Sequence, residues 1–228
     1  MLDLWMRSLR EKGNYRGDIL LFTDRPELRL PRIIVRPLLL PKAELKHFWL
    51  TRILNYGNLP YRDYDTLMHI DLDAVCVNDI NDLFARNGDM RAAPSNLLLF
   101  DRQHILQFLN PGQRIWHRWF SGQKRRKGVS ACVFSCASSA WEKNMGAWAE
   151  AIEQHMQDPV PDLGDQSFLN LLFYRRTIPI KPYSREEIQH KDWSFSPQAR
   201  IFHFPGLADR ATLMRRYYNL YNNADSRA

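Results

Sequence analysis

Apolar residues recur along the chain with two periods, and the changes from one period to the other mark out its elements. Leu2, Trp5, Met6 and Leu9 form an i, i+3, i+4, i+7 stripe that predicts a helix from Leu2 to Lys12, broken by Gly13 and Gly17. Ile19 to Thr23 is a strand-like run closed by Asp24-Arg25-Pro26, and Arg32 to Val35 is a second, with Pro31 and Pro37 at its ends. Ala43 to Tyr56 predicts a helix burying Leu45, Phe48, Trp49, Ile53 and Tyr56, entered after Pro41 and stopped at Gly57. Thr66 to Ile70 is short, β-leaning and largely apolar, which predicts a buried strand. A helix capped by Asn78 or Asp79 should follow, burying Ile80, Leu83 and Phe84.

Further on, Arg91 to Ala93 and Leu97 to Phe100 are candidate strands, Gln103 to Leu109 a helical turn or two, and Asn110-Pro111-Gly112 a turn. Val129 to Phe134 predicts a strand of small residues, and Trp141 to His155 a helix that Asp158-Pro159 ends. Leu163-Gly164-Asp165 leads into a helix over Gln166 to Tyr174 with Phe168, Leu169, Leu172 and Phe173 inward. Arg200 to Phe204 is a last strand, and Thr212 to Tyr221 a basic, aromatic terminal helix. Strands alternating with helices indicate an α/β fold, and the absence of repeats, low-complexity tracts or linkers makes residues 1–228 one expected domain.

Composition narrows the partners. With 45% hydrophobic and 12% aromatic residues the chain can pack a core, which excludes a disordered protein. A net charge of +7 and a pI near 9.4 favour a polyanionic partner: nucleotide phosphates, an acidic membrane surface or nucleic acid. Lys124-Arg125-Arg126-Lys127 is either a solvated loop or a contact to phosphate or an acidic acceptor. Cys76, Cys132 and Cys136 are odd in number and form no C-x-x-C pair, which argues against a disulfide framework or a zinc motif and for a reducing cytoplasm. No apolar run reaches the roughly 18 residues of a membrane span, so the expected protein is soluble or at most peripheral.

The chemistry concentrates between Tyr64 and Phe84, where Asp71-Leu72-Asp73 falls at the end of the Thr66 to Ile70 strand. Loops at the C-terminal edge of an open α/β sheet line a ligand crevice. Two carboxylates at i and i+2 are costly to bury as bare charges, whereas a hard divalent cation that also holds phosphate oxygens balances them. The natural guest is a metal-diphosphate; the alternative is a pair of loop carboxylates that only cap a turn.

Four motifs in order, Y-D-x-x-x-x-I-D-x-D-A-V with D-I-N-D-L-F from Tyr64, Ser130-Ala131-Cys132-Val133 with Trp141, Asp165-Gln166 with Leu169-Asn170, and Ile201 to Gly206, together resemble the GT-A-fold glycosyltransferases of family 8. The resemblance covers nearly the whole chain. It implies a GT-A-like domain with a mixed, mainly parallel central sheet and helices on both faces. The implied activity is transfer of a hexose from a nucleotide-sugar, in the first instance a UDP-sugar, to a carbohydrate or glycolipid acceptor with retention of configuration. It makes Asp71, Asp73 and His203 ligands of Mn²⁺ or Mg²⁺. His203 favours Mn²⁺, since imidazole is a borderline ligand. It makes Asp165 and Gln166 the catalytic pair against the donor sugar, and Arg52, Asp71, Ser130, Asp165, Gly206 and Arg210 the donor-binding residues. Gly206 would let the backbone approach a phosphate, or simply serve a turn after Pro205.

The chain also departs from the family pattern. Ser130, Ala131 and Cys132 stand where the family has Asn, a small residue and Gly, and Asp209 stands at the position of a phosphate-binding lysine, with Arg210 beside it. The family's first strand should precede the opening helix, which leaves three expectations open: a truncated sequence, a misplaced start, or a pocket open on one side. Rival readings are a sugar-phosphate nucleotidyltransferase, disfavoured by the lack of an N-terminal Gly-rich loop, and a non-catalytic basic domain using Lys124 to Lys127 and Arg215-Arg216. Under the transferase reading no nucleic acid partner is expected. The expected location is cytoplasmic, with a possible peripheral contact of the terminal helix at the inner, anionic face of the membrane.

Overall fold

The apolar stripe at the start of the chain forms helix α1 (Leu2–Arg7), which runs on as a π-helical turn over Ser8–Lys12 and buries Trp5 and Leu9. The computed structural model describes residues 1–38, 51–84, 89–101, 103–119, 125–155, 164–190, 196–206 and 209–224. Strands β1 (Leu20–Thr23) and β2 (Ile34–Pro37) pair in parallel. Helix α2 (Thr51–Tyr56) is the described end of the helix predicted from Ala43; Leu45, Phe48 and Trp49 lie outside the described residues. Strand β3 (Thr66–Ile70) has the predicted bounds. After it comes an unforeseen strand, β4 (Ala74–Cys76), and then only a 3₁₀ turn over Asn81–Leu83 in place of the expected helix. The N-cap of that turn is Ile80, not Asn78 or Asp79; Asp79 Oδ1 accepts the Asn81 N–H at 2.8 Å just before the turn, while Ile80 and Leu83 are buried.

Strand β5 (Met90–Leu98) merges the two short strands read around residue 94. Asn110-Pro111-Gly112 does not turn; it starts helix α3 (Pro111–Trp119). The side chains of Asn110 and Gln113 each accept the other's backbone N–H, at 2.9 and 3.0 Å, a capping box with proline at the first helical position. Then follow β6 (Lys127–Ala137), α4 (Ser138–His155), α5 (Asp165–Arg175), the short strands β7 (Ile180–Pro182), β8 (Ile188–His190) and β9 (Ile201–His203), and α6 (Arg210–Ala224).

Two further sheets form, in the orders β3-β6-β5-β7 and β4-β9-β8. They are mixed, as expected, but parallel pairs do not dominate: β6 is antiparallel to both neighbours, β4 is antiparallel to β9, and the parallel pairs are β5 with β7 and β8 with β9. Helices cover both faces. On one, Ile53 and Tyr56 of α2, Trp141 and Trp148 of α4 and Phe168 of α5 close over Leu67 and Phe134. On the other, Trp5 and Leu9 join Met214 and Tyr218 of α6 over Val75, Val133, Ile201 and Phe202.

Within β6 the inward face changes phase: Val129, Ala131, Phe134 and Cys136 serve the first core, and Cys132 and Val133 the second. The break coincides with a register shift, since Ala92 pairs with Phe134 but Ala93 pairs with Ser130. Residues 131–133 therefore bulge, and a bulge re-aims side chains where a ladder would only alternate them. Asp71 lies opposite, its N–H donating to Cys132 O at 2.8 Å.

Candidate active site

Asp71 to Asp73 is the turn by which the chain leaves one sheet and enters the other. Ala74 N–H closes it onto Asp71 O at 3.1 Å, and β4 then pairs with β9 so that Ala74 faces His203, while Phe204 N–H donates to Asp73 O at 2.9 Å. That register sets His203 Nε2 at 3.1 Å from Asp73 Oδ1 and 3.6 Å from Asp71 Oδ2. Leu72, between the carboxylates, is 40% exposed.

The donor set fits a divalent cation. Metal-ligand bonds of about 2.0–2.2 Å put neighbouring donor atoms about 3 Å apart and opposed ones about 4.2 Å. One ligand atom from each of Asp71, Asp73 and His203 lies within 4.8 Å of the others. Burial would lower the His203 pKa, but Cys132 and Asp73 raise it, and against protein charges alone the imidazole stands at about 10. A cation beside the carboxylates opposes that proton.

Arg52, on α2, ties the site together. Its guanidinium donates to Asp71 Oδ1 at 2.5 Å and to Ala131 O at 3.3 Å, and forms an ion pair with Asp165 Oδ2. Burial alone would raise the Asp71 pKa; Arg52 and then His69 overcome it and hold the carboxyl well below its ordinary range. Burial likewise works against the Arg52 charge, and Asp165 and Asp71 more than restore it. His69, not singled out in the sequence, supports Asp71 Oδ1 from Nε2 at 2.7 Å and meets the Tyr56 hydroxyl at Nδ1, also at 2.7 Å. Burial raises the Tyr56 pKa, so the neutral phenol donates to Nδ1 and leaves Nε2–H for Asp71. The signal was present: His69 is two residues before Asp71, on the same side of a strand.

Gly164 is the N-cap of α5 and Asp165 its first residue, so the helix begins one position before the start read from the sequence. Asp165 is 8% exposed and its Oδ1 accepts the Gln166 N–H at 2.7 Å. The Gln166 side chain is held at both ends: Oε1 accepts from Ser130 at 2.9 Å, and Nε2 lies 3.0 Å from His104 Nε2. His104 Nδ1 lies 2.8 Å from Leu98 O, a contact that takes its N–H and leaves Nε2 to accept. An added Cβ at Gly128 would come within 2.6 Å of His104 and Asn170, so glycine is required there for close approach.

Two residues of the motifs turn out to hold the scaffold. Asn170 Oδ1 accepts the Val129 N–H and Asn170 Nδ2 donates to Val129 O, both at 2.8 Å, so its amide continues the β6 ladder from α5. Trp141 Nε1 donates to Tyr56 O at 3.0 Å, fastening α4 to the end of α2.

Arg210, at the start of α6, donates to Asp73 Oδ2 at 3.1 Å, which brings it to the acidic cluster. Gly206 has φ +66° and an added Cβ would meet nothing within 4 Å, so the requirement there is the turn conformation. In the basic run, Lys124 lies outside the described residues, the Arg126 guanidinium stacks 4.2 Å from the Phe173 ring, and Lys127 donates to Asn96 O at 2.7 Å. In α6, Tyr218 is buried and Tyr217 packs 4.7 Å from Phe202, while Arg215 and Arg216 are exposed. No helix among the described residues is long and apolar enough to cross a membrane. Two surface hollows, about 320 and 610 Å³, lie along α1 with α6 and beside Asn78 and Glu187; neither is lined by Asp71, Asp73 or His203.

No family model matches the chain, and a comparison with curated proteins found no match to it. Among solved structures, the crystal structure of the galactosyltransferase LgtC in complex with donor and acceptor sugar analogs is similar, with a TM-score of 0.60 and 14% identity over 97% of this chain and 91% of that chain. The likeness is one of fold, and the fold is the GT-A-like α/β arrangement that the sequence led us to expect.

Proposed function

We propose that the chain is a metal-dependent glycosyltransferase that moves a hexose from a nucleotide-sugar, in the first instance a UDP-sugar, to a carbohydrate or glycolipid acceptor. The observation that carries this reading is the meeting of Asp71, Asp73 and His203 beside the Arg52 to Asp165 ion pair, on a fold shared with a galactosyltransferase crystallised with donor and acceptor sugar analogs. Asp71, Asp73 and His203 would hold Mn²⁺, or Mg²⁺. When bound, such a cation supplies Lewis-acid stabilisation of the charge that the diphosphate carries away.

The remaining work belongs to side chains. Arg52 fixes the directions of Asp71 and Asp165. Asp165 Oδ2 and Arg52 Nε are buried without an aligned hydrogen-bond partner in the protein, which suits them to sugar hydroxyls or phosphate oxygens of the donor. Ser130 orients Gln166, and Arg210 adds positive charge beside Asp73, where the leaving phosphates would lie. Gln166 takes up no proton at neutral pH. Its amide suits stabilisation of developing charge on the face where the acceptor enters, as a retaining transfer requires.

Isothermal calorimetry tests the reading. UDP should bind the purified chain tightly with Mn²⁺ and at least tenfold more weakly with EDTA, and Asp73→Asn should remove that difference while keeping the fold. Equal affinity under both conditions would sink the proposal.

A further inference from the structure

His203 presents its second ring nitrogen to another set of donors. Its Nδ1 lies 3.3 Å from His190 Nδ1, and Cys132 completes a buried group whose ligand atoms lie within 4.8 Å of one another. The sequence offered no C-x-x-C motif and gave no reason to expect a thiol-containing site. Two features of the fold create one. The bulge at residues 131–133 turns Cys132 away from the first core and toward β9, and the parallel register of β8 with β9 pairs His190 directly with His203.

The two rings are oriented from behind. His190 Nε2 lies 3.0 Å from Pro94 O, an acceptor that claims its N–H and leaves a lone pair on Nδ1. His203 Nε2 faces Asp73 and its Nδ1 faces the His190 lone pair, so the proton that Nδ1 carries in the metal-free chain occupies the place a cation would take. Two lone pairs facing each other at 3.3 Å repel unless a proton or a cation lies between them. Two nitrogens bound at about 2.0–2.1 Å to one tetrahedral ion lie about 3.3 Å apart. The observed separation matches that value.

We propose that Cys132, His190 and His203 form a second metal site, for a borderline-soft divalent ion of the zinc type. The site shares His203 with the acidic cluster and differs from it in kind: one thiolate and two imidazoles suit Zn²⁺ or Co²⁺, whereas two carboxylates and one imidazole suit Mn²⁺ or Mg²⁺. Binding releases the Cys132 thiol proton and any proton held between the two rings. A neutral imidazole has one lone pair. Metal at Nδ1 leaves N–H on Nε2, which donates to Asp73 instead of ligating beside it. Filling the soft site therefore withdraws His203 from the hard one, and the two ions oppose each other's binding.

The test uses the full chain with metal alone and no nucleotide-sugar, so its outcome does not depend on the transferase reading. Titration with Co²⁺ should produce the near-ultraviolet thiolate-to-metal charge-transfer band with tetrahedral visible bands. Cys132→Ser should abolish the charge-transfer band, and His190→Gln should weaken Co²⁺ binding at least tenfold. Asp73→Asn should keep the band while losing the Mn²⁺ signal in electron paramagnetic resonance. Cys76 and Cys136 are poor alternatives, since burial pushes their thiols up to about 12 and about 11. Circular dichroism of each variant separates loss of a ligand from loss of the fold; if Cys132→Ser does not fold, His190→Gln carries the test. A folded wild-type chain without the band overturns the proposal, as does a band that survives Cys132→Ser or one that disappears with Asp73→Asn.

Discussion

Gln166 reaches His104 Nε2 at 3.0 Å, and because Leu98 O holds the opposite side of that ring, the contact decides which end of the Gln166 amide faces Ser130. Burial lowers the His104 pKa below the ordinary histidine value, against the backbone bond to Leu98 and the charge of Asp101. A lowered value means that the neutral form is favoured in the fold. Its contribution is complete above pH of about 6.5 and is lost as pH falls through the folded value. Protonation turns Nε2 from acceptor to donor and breaks the contact with Gln166. Transfer should show an acid limb below the ordinary histidine range that His104→Gln lacks, and His104→Leu should lower kcat about tenfold, the worth of one hydrogen bond, with little change in donor KM. Steady-state kinetics against pH checks both; a limb unchanged in His104→Gln rules the role out.

Arg52 is asked to neutralise two carboxylates on different elements at once, a task for a planar fork that the point charge of lysine does not perform. Arg52→Lys should leave one of Asp71 and Asp165 short of a partner, destabilising the chain by about 1–3 kcal/mol and weakening UDP-sugar binding at least tenfold. Because Arg52 is the leading lowering influence on Asp71, the substitution also raises that carboxyl. The stability that the depressed Asp71 pKa provides is present above the ordinary carboxylate range and lost as pH falls through the folded value, so the variant, with a less depressed carboxyl, should lose less stability on acidification than the wild type. Urea unfolding at several pH values measures this, and identical pH dependence in both proteins would contradict it.

The parts legible in the sequence are those written in local pattern. Thr66 to Ile70 announced itself by β-branching and apolar content, and Asp71-Leu72-Asp73 by following it. His203 was legible only through resemblance, because what brings it to Asp73 is the pairing of Ala74 with β9, more than a hundred residues apart. The three-residue strands β4, β7 and β8 are too short to show a period, and they exist because the sheet edges satisfy their backbone groups. Asn110-Pro111-Gly112 contained turn residues, but Gln113 made them the start of a helix. His104 and His190 carried no local signal, since each acts through partners set by the β6 bulge or by sheet register.

Asn170 is completely buried and spends its side chain on both backbone groups of Val129. Asn170→Leu has a similar volume and leaves the N–H and C=O of Val129 without partners, so it should cost about 2–4 kcal/mol. Asn170→Asp keeps the acceptor but brings an oxygen against Val129 O, and should fare no better. Chemical denaturation gives the values. A loss under 0.5 kcal/mol, the ordinary range for an inconsequential surface change, would mean that α5 is held to β6 by apolar packing alone.

The role proposed for Gln166 separates turnover from binding. If its amide meets charge that develops only as the sugar-phosphate bond breaks, Gln166→Ala should lower kcat by about a hundredfold while donor affinity changes little. Asp165→Asn should weaken both, because a carboxylate that holds sugar hydroxyls acts in the ground state as well as in the transition state. Stereochemistry follows from the same placement. A general base on the face opposite the leaving group would be needed for inversion, and Gln166 cannot serve as one. With Gln166 in the proposed role, the incoming hydroxyl would enter on the side that the diphosphate leaves. Proton NMR of the first-formed product from an α-linked UDP-hexose should show an α-linkage; a β-linked product would remove Gln166 from the role assigned to it, even with the metal site intact.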